Sequence, residues 1–209
     1  VVQKFGSLFP RSSLTFLDES LFPTVFDAVI GWCDPADRGS NHTCSVIIGI
    51  SNGLAYVLDV VFIKKGYEFY KDLLVDQIVK WLPSMYIIES NKDGRIISVE
   101  IRSEVEKKLD KIKQEYNNSG KVFDVRIIPR NESKNKELRI SLNSSTIKSM
   151  FVFKTRNFLD IPYTNFIKDL TEYLAEGNND TDDAPDVLAG LASLVRPRGN
   201  TNVEIYSGK

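Results

Sequence analysis

The chain has 209 residues, 42% of them hydrophobic and 26% charged, which fits one globular domain with a real core. Its 27 basic and 28 acidic residues leave a formal charge of -1, so the whole-chain balance gives no sign of a nucleic-acid partner. No run approaches the roughly 18 apolar residues that a membrane-spanning helix needs.

Residues 1–24 mix Phe5, Leu8, Phe9, Phe16, Leu17 and Phe22 with Pro10, Pro23 and serines, without a period of 2 or 3.6, and read as an extension or linker packed on the domain. Strands rich in Val and Ile are expected at 26–33, 44–50 and 55–63, and Ser51-Asn52-Gly53 predicts a tight hairpin between the second and third. Tyr70, Leu74, Ile78 and Trp81 then recur at helical spacing, and Pro83 stops that helix before a short apolar run at 84–88. A strand, a helix and a returning strand make a crossover that lays 84–88 parallel to the first strand.

Further on, Ile101, Val105, Leu109, Ile112 and Tyr116 form the single apolar stripe of a long charged helix, closed by Asn117-Asn118-Ser119-Gly120. A strand at 122–128 meets Pro129, and a polar basic stretch, 130–136, leads into a shorter helical or irregular segment. Residues 150–153 read as another strand. Phe166, Leu170, Tyr173 and Leu174 mark one more helix, and Leu188, Leu191, Ala192 and Val195 the last, before a polar tail with a short strand near 203–206. The elements predict an α/β fold: a mixed central sheet, its first three strands antiparallel and later ones parallel, flanked by helices.

Cys33 and Cys44 lack a C-x-x-C spacing, and with one histidine in the chain no zinc site can be assembled, so buried reduced thiols are expected. The N-terminus lacks the basic-then-apolar order of a signal peptide, which points to the cytosol. Because the chain starts Val1-Val2 rather than with methionine, it reads as a piece of something longer.

Charge is unevenly spread. Residues 121–156 carry nine Lys or Arg against three acids, whereas 169–186 carry seven acids and no base, so one stretch suits phosphates and the other cations. Three acidic positions end or open apolar runs that a sheet can gather: Asp34 after 28–33, Glu89 after 85–88, and Asp182, Asp183 and Asp186 at the start of the last helical pattern. The crossover places Asp34 and Glu89 at the carboxyl edge, where open α/β sheets bind ligands. Asp183 and Asp186, three apart, share a helix face. Carboxylates converging there call for a hard cation, Mg2+ or Mn2+. Each also has a plainer reading: a helix cap for Asp182 or Asp183, a turn residue before Pro35 for Asp34, a solvated strand end for Glu89.

At these positions the sequence resembles the nuclease domain of tailed-bacteriophage terminase large subunits. The matching pieces are Trp32-Cys33-Asp34-Pro35-Ala36 with Gly39, Ile88-Glu89-Ser90-Asn91 with Gly94, Asn135-Lys136-Glu137-Leu138-Arg139-Ile140, and Asp182-Asp183-Ala184-Pro185-Asp186-Val187-Leu188-Ala189. The resemblance implies a ribonuclease H-like fold over residues 25–209, with 1–24 as an interdomain linker. It further implies a Mg2+- or Mn2+-dependent endonuclease that cuts concatemeric double-stranded DNA at the start and end of viral genome packaging, in the host cytoplasm. By carry-over Asp34 bridges two ions, Glu89 holds one, and an aspartate of the last cluster holds the other; Asp183 is favoured, with Asp182 and Asp186 as alternatives. Its implied partners are a motor ATPase domain, a small terminase subunit and a portal, the isolated domain being a monomer. No G-x-x-x-x-G-K-[ST] loop occurs, so translocation is not expected of this chain.

Arg126, Arg130, Lys134, Lys136 and Arg139 surround one predicted loop and are the expected DNA guide, binding phosphates without reading sequence. Asp37 and His42, in the loop after the first motif, read as loop residues rather than ligands. Rival readings are another ribonuclease H-like enzyme, a resolvase or transposase core, and a noncatalytic DNA-binding or motor-docking module.

Overall fold

The computed structural model describes residues 6–36, 42–90, 94–115, 124–132, 135–155, 160–197 and 203–205. Its spine is the predicted antiparallel trio: β2 (Ala28–Asp34), β3 (Thr43–Ser51) and β4 (Leu54–Ile63). Every residue of β3 is buried, as a strand covered on both faces requires. Asn52 and Gly53 turn the β3–β4 hairpin with φ of 50° and 77°, the left-handed backbone that a two-residue primed turn needs and that Asn and Gly adopt most readily.

Helix α1 (Tyr67–Trp81) ends on Leu82 in a left-handed conformation before Pro83, and the chain returns as β5 (Met85–Glu89), parallel to β2 as the crossover predicts. The charged helix α2 (Gly94–Glu115) precedes β6 (Arg126–Arg130), which pairs in parallel with β5. Next come α3 (Lys136–Met150), β7 (Phe151–Lys154), α4 (Ile161–Glu172) and α5 (Asp183–Leu194). A small hairpin closes the chain, β8 (Val195–Pro197) with β9 (Val203–Ile205).

Two features depart from the sequence expectation. The aperiodic N-terminal stretch contributes a strand of its own, β1 (Thr15–Leu17), which pairs in parallel with β7 at the sheet edge. Three residues are too few to show alternation. The segment read as short or irregular after β6 is the full 15-residue helix α3; its polar residues blur the apolar stripe that would have marked it. The main sheet thus runs β1-β7-β4-β3-β2-β5-β6.

Two apolar layers sandwich the sheet. One, centred on Trp32, Val46, Phe62, Phe166, Leu188 and Leu191, lies beneath α3, α4 and α5; the other, centred on Ile47, Tyr70, Leu74, Tyr86, Ile101 and Val105, lies beneath α1 and α2. Cys33 and Cys44 are buried free thiols. Among the described residues no helix is long and apolar enough to cross a membrane.

Candidate metal centre

Two adjacent parallel strands end on acids at the same edge of the sheet. Asp34 closes β2 and Glu89 closes β5, each one step beyond the last paired residues, Cys33 and Ile88. Helix α5 packs on β2 and β3 and against α3 and α4, which carries its acidic first turn to that edge. There one carboxylate oxygen from each of Asp34, Glu89 and Asp186 lies within 4.8 Å of the other two. Glu89 is 2% exposed and Asp186 0%.

The first turn of α5 does not spend its acids on capping. Asp182 stands at the N-cap, yet its side chain makes no capping hydrogen bond. Asp169 of α4 does that work: the Ala184 amide donates to its Oδ2 at 2.9 Å and the Thr181 hydroxyl to its Oδ1. Asp182, Asp183 and Asp186 are therefore left to face the sheet edge.

Two cations of α3 answer them. The N-cap Asn135 starts the helix by accepting from the Leu138 amide, and Lys136 and Arg139, three residues apart, project from one face toward α5. The Lys136 ammonium lies 3.0 Å from Asp182 Oδ1, 3.1 Å from Asp186 Oδ2, 3.4 Å from Asp34 Oδ2 and 4.0 Å from Asp183 Oδ1. Arg139 donates from Nε to Asp186 Oδ1 at 2.8 Å, and from Nη2 to Asp186 Oδ1 at 2.5 Å and Glu89 Oε1 at 3.1 Å. Its Nη1 lies 3.2 Å from Glu132 Oε2. The Trp32 indole donates to the same Glu89 Oε1 at 2.8 Å.

Burial sets the electrostatics. Desolvation pushes Glu89 and Asp183 each up to about 7; repulsion from Asp34 adds to this at Glu89, while attraction to Lys136 opposes it at Asp183. Asp34 and Asp186 are raised for the same first reason, with Lys136 pulling back on both. Lys136 is itself desolvated, but Asp186, Asp34 and Asp182 outweigh that and hold it charged far above the usual lysine range. Six carboxylates, Glu132 included, thus share two cations. Asp186 Oδ2 is buried and accepts no aligned hydrogen bond, the ammonium of Lys136 at 3.1 Å being an ion pair only. A converging all-oxygen donor set with an orphan oxygen fits a hard divalent cation.

The expected ligands thus separate into two groups. Asp34, Glu89 and Asp186 converge. Asp183, the favoured aspartate of the last cluster, instead accepts from the His42 amide at 3.3 Å, and His42 Nδ1 sits 3.4 Å from the same oxygen. The His42 ring stacks on Phe62 at 4.4 Å between centroids, so this loop histidine supports an acid of the cluster. Asp37 lies outside the described residues.

The residues expected to guide DNA take different places. Arg139 is 7% exposed and faces the carboxylates rather than solvent, and Lys136 turns into the same cluster. The reason is helical: once α3 begins at Asn135, the face bearing positions 136 and 139 is the face packed on α5. Arg126 is exposed on edge strand β6, and half-buried Arg130 pairs with Glu132 at 2.6 Å and sits 5.2 Å over the Trp32 ring. Lys134 lies outside the described residues. Sequence reasoning did not single out Trp32, Glu132 or Asp169; the spacing of Lys136 and Arg139 was the one available signal, and it becomes legible only once the segment is known to be helical.

The backbone resembles known nucleases closely enough to fix the fold. The nuclease domain of the large terminase subunit gp2 of bacterial virus Sf6 superposes with a TM-score of 0.57 at 11% identity, covering 89% of this chain and 98% of that one. A Mn-soaked, inhibitor-bound human cytomegalovirus terminase nuclease domain gives 0.56 at 12% identity, covering 92% and 94%. The large terminase of a thermophilic bacteriophage gives 0.55 at 13% identity, and the chain covers 44% of that longer protein. Among curated proteins no sequence relative matches. The family profile "Terminase Bacteriophage T7, Ribonuclease H-like domain" matches residues 33–149, more than half of the chain, taking in Asp34, Glu89, Lys136 and Arg139; the chain belongs to that family of terminase ribonuclease H-like domains.

Proposed function

We propose that this domain is the metal-dependent endonuclease of a DNA-packaging terminase large subunit, cutting double-stranded concatemeric DNA when packaging begins and ends. The observation that carries the reading is the convergence of Asp34, Glu89 and Asp186 within 4.8 Å at the carboxyl edge of a ribonuclease H-like sheet. Family membership supports the terminase setting. The human cytomegalovirus terminase nuclease domain was soaked with Mn, which makes Mn2+ a reasonable ion to test beside Mg2+.

In this reading Asp34, Glu89 and Asp186 would hold one divalent ion, and Asp34 and Asp183, with Asp182 beside them, would hold a second. Cations held there would supply activation of an attacking water and charge stabilisation of the leaving oxygen in phosphodiester hydrolysis. Lys136 keeps the acids neutralised between encounters and must withdraw when the cations enter, since its ammonium lies within 4.0 Å of four carboxylates. Arg130, in register with Glu89 at the site end of edge strand β6, is the basic residue that offers a phosphate contact beside the centre, whereas Arg126, opposite Met85, lies at the far end of that strand. In the same reading a motor ATPase domain, the small terminase subunit and the portal complete the machine, while β1 of the N-terminal stretch belongs to the nuclease sheet itself.

A docking module whose acids merely cap and solvate is disfavoured, because Asp182 makes no capping bond and Asp186 is 0% exposed. The test is conversion of supercoiled plasmid to nicked and linear forms with Mn2+, Mg2+ or EDTA, for the wild type, Asp34→Asn and Asp186→Asn. Metal-dependent cutting that both variants lose is the expected result. A folded wild type that cuts under no metal would refute the enzyme.

A further inference from the structure

The acids of the centre are held unequally. Glu89 and Asp186 each have one oxygen saturated by donors from behind: Oε1 of Glu89 takes the Trp32 indole and Arg139 Nη2, and Oδ1 of Asp186 takes Nε and Nη2 of the same guanidinium. Among the described residues every hydrogen bond that Glu89 accepts ends on Oε1, and Asp186 Oδ2 accepts none. Arg139 Nη1 has Glu132 Oε2 at 3.2 Å as an ion-pair partner without an aligned hydrogen bond. The Trp32 ring is anchored by Gly190 of α5, where a Cβ would come within 2.5 Å of the indole Cε2. Both donors are buried, Trp32 at 0% and Arg139 at 7% exposure.

We propose that Arg139, assisted by Trp32, is a positioning residue that fixes the orientation of the Glu89 and Asp186 carboxylates and leaves their opposite oxygens, Oε2 and Oδ2, to ligate the divalent ion. The inference rests on the endonuclease reading above. A cation placed this close to metal ligands would by charge alone weaken metal binding; its value lies in geometry. A guanidinium presents several N–H groups in one rigid fork, so it can grip Asp186 twice and Glu89 once from a single plane, which a lysine ammonium on a flexible stem cannot reproduce. Groups that orient ligands from behind typically tune metal affinity or activity by about 10–100-fold. The carboxylate restrained from rotating loses less freedom when the ion arrives.

Charge and geometry predict opposite outcomes, which makes the proposal testable. Mn2+ is titrated calorimetrically into wild type, Arg139→Lys and Arg139→Gln at one pH and low ionic strength, and plasmid cleavage is measured against DNA concentration. If Arg139 positions the ligands, Arg139→Lys keeps the charge yet raises the Mn2+ Kd by about tenfold or more, and Arg139→Gln raises it too despite removing a positive charge. In both, kcat falls while the KM for DNA stays near that of the wild type. Should Arg139→Gln fail to fold, Arg139→Lys decides, with Trp32→Phe as a charge-neutral companion expected to weaken Mn2+ severalfold. A Kd unchanged in Arg139→Lys, or tightened in Arg139→Gln, overturns the proposal. So does a raised KM for DNA at constant kcat, which would make Arg139 a DNA contact. A wild type that neither binds Mn2+ nor cuts DNA removes the endonuclease reading and this inference together, whereas a wild type that does both alongside an unaffected Arg139→Lys removes only the inference.

Discussion

Replacing Lys136 by glutamine should weaken the metal-free fold and tighten metal binding at the same time. The ammonium has three carboxylate oxygens at 3.0, 3.1 and 3.4 Å. At an effective dielectric near 20, each such pair has a gross attraction of about 5 kcal/mol, most of which desolvation cancels. Breaking a buried pair typically costs about 3–5 kcal/mol, and a lysine side chain 33% exposed belongs at or below the lower end. Proton uptake limits the loss further, since Glu89 and Asp183 already sit at about 7. A loss of about 2 kcal/mol at pH 8, or roughly 4–8 °C in Tm for a domain of this size, is the expected outcome. For the metal, an ammonium–carboxylate contact is worth about 1 kcal/mol even at the dielectric of water, so sparing the ion the displacement of Lys136 from Asp34 and Asp186 is worth about 2 kcal/mol, or roughly 30-fold in Kd. Thermal unfolding with and without Mn2+, together with a calorimetric titration, reads both quantities. A Lys136→Gln chain that keeps its metal-free Tm, or binds Mn2+ more weakly than the wild type, would refute the reasoning.

Further outcomes follow from the same geometry. Gly190→Ala drives a methyl into the Trp32 ring at 2.5 Å, in a core with no slack, and should cost about 1–3 kcal/mol by chemical denaturation; a neutral result would mean that the indole is not seated as described. Without metal, stability should fall as pH rises from about 4 to 8. Glu89 and Asp183 stand at about 7 in the folded chain against 4.5 and 3.8 ordinarily, so between those values the native state binds more protons than the unfolded one. The stabilisation is full below the unfolded values and gone above the folded ones, an effect of several kcal/mol, up to about 8 if both shifts are expressed in full, read as unfolding free energy from urea titrations, and a flat profile would contradict it. Mn2+ affinity should rise over the same window as protons cease to compete. Asp34→Asn removes one of the mutually repelling acids, so its metal-free Tm should not fall, while the Tm gain on adding Mn2+ should vanish; a retained gain would place the ion elsewhere.

Much of this organisation is legible in the residues because it rests on local signals. Asn52-Gly53 fixes the hairpin, Pro83 and the 70–81 periodicity fix the crossover, and the crossover alone forces Asp34 and Glu89 to the same sheet edge. What the sequence hides is rotation. Which of three acids on α5 faces the strands depends on how that helix is turned against α3 and α4, and the structure turns Asp186 inward while His42 engages Asp183. The same blindness made Arg139 look like a phosphate contact. A basic residue near a basic loop reads as solvent-facing until the helix that carries it is docked on acids. Strand β1 was invisible for a different reason: its pairing with β7 joins residues more than 130 positions apart, over only three residues.

The carboxylate centre is most directly tested by anomalous diffraction near the manganese edge from crystals of the chain soaked in MnCl2. The predicted result is a peak within roughly 2–2.5 Å of oxygens from Asp34, Glu89 and Asp186, the range for carboxylates on hard divalent cations, with the Lys136 ammonium displaced. Crystals that show no peak among these three acids at saturating Mn2+, with Lys136 still seated between Asp34 and Asp186, would contradict it.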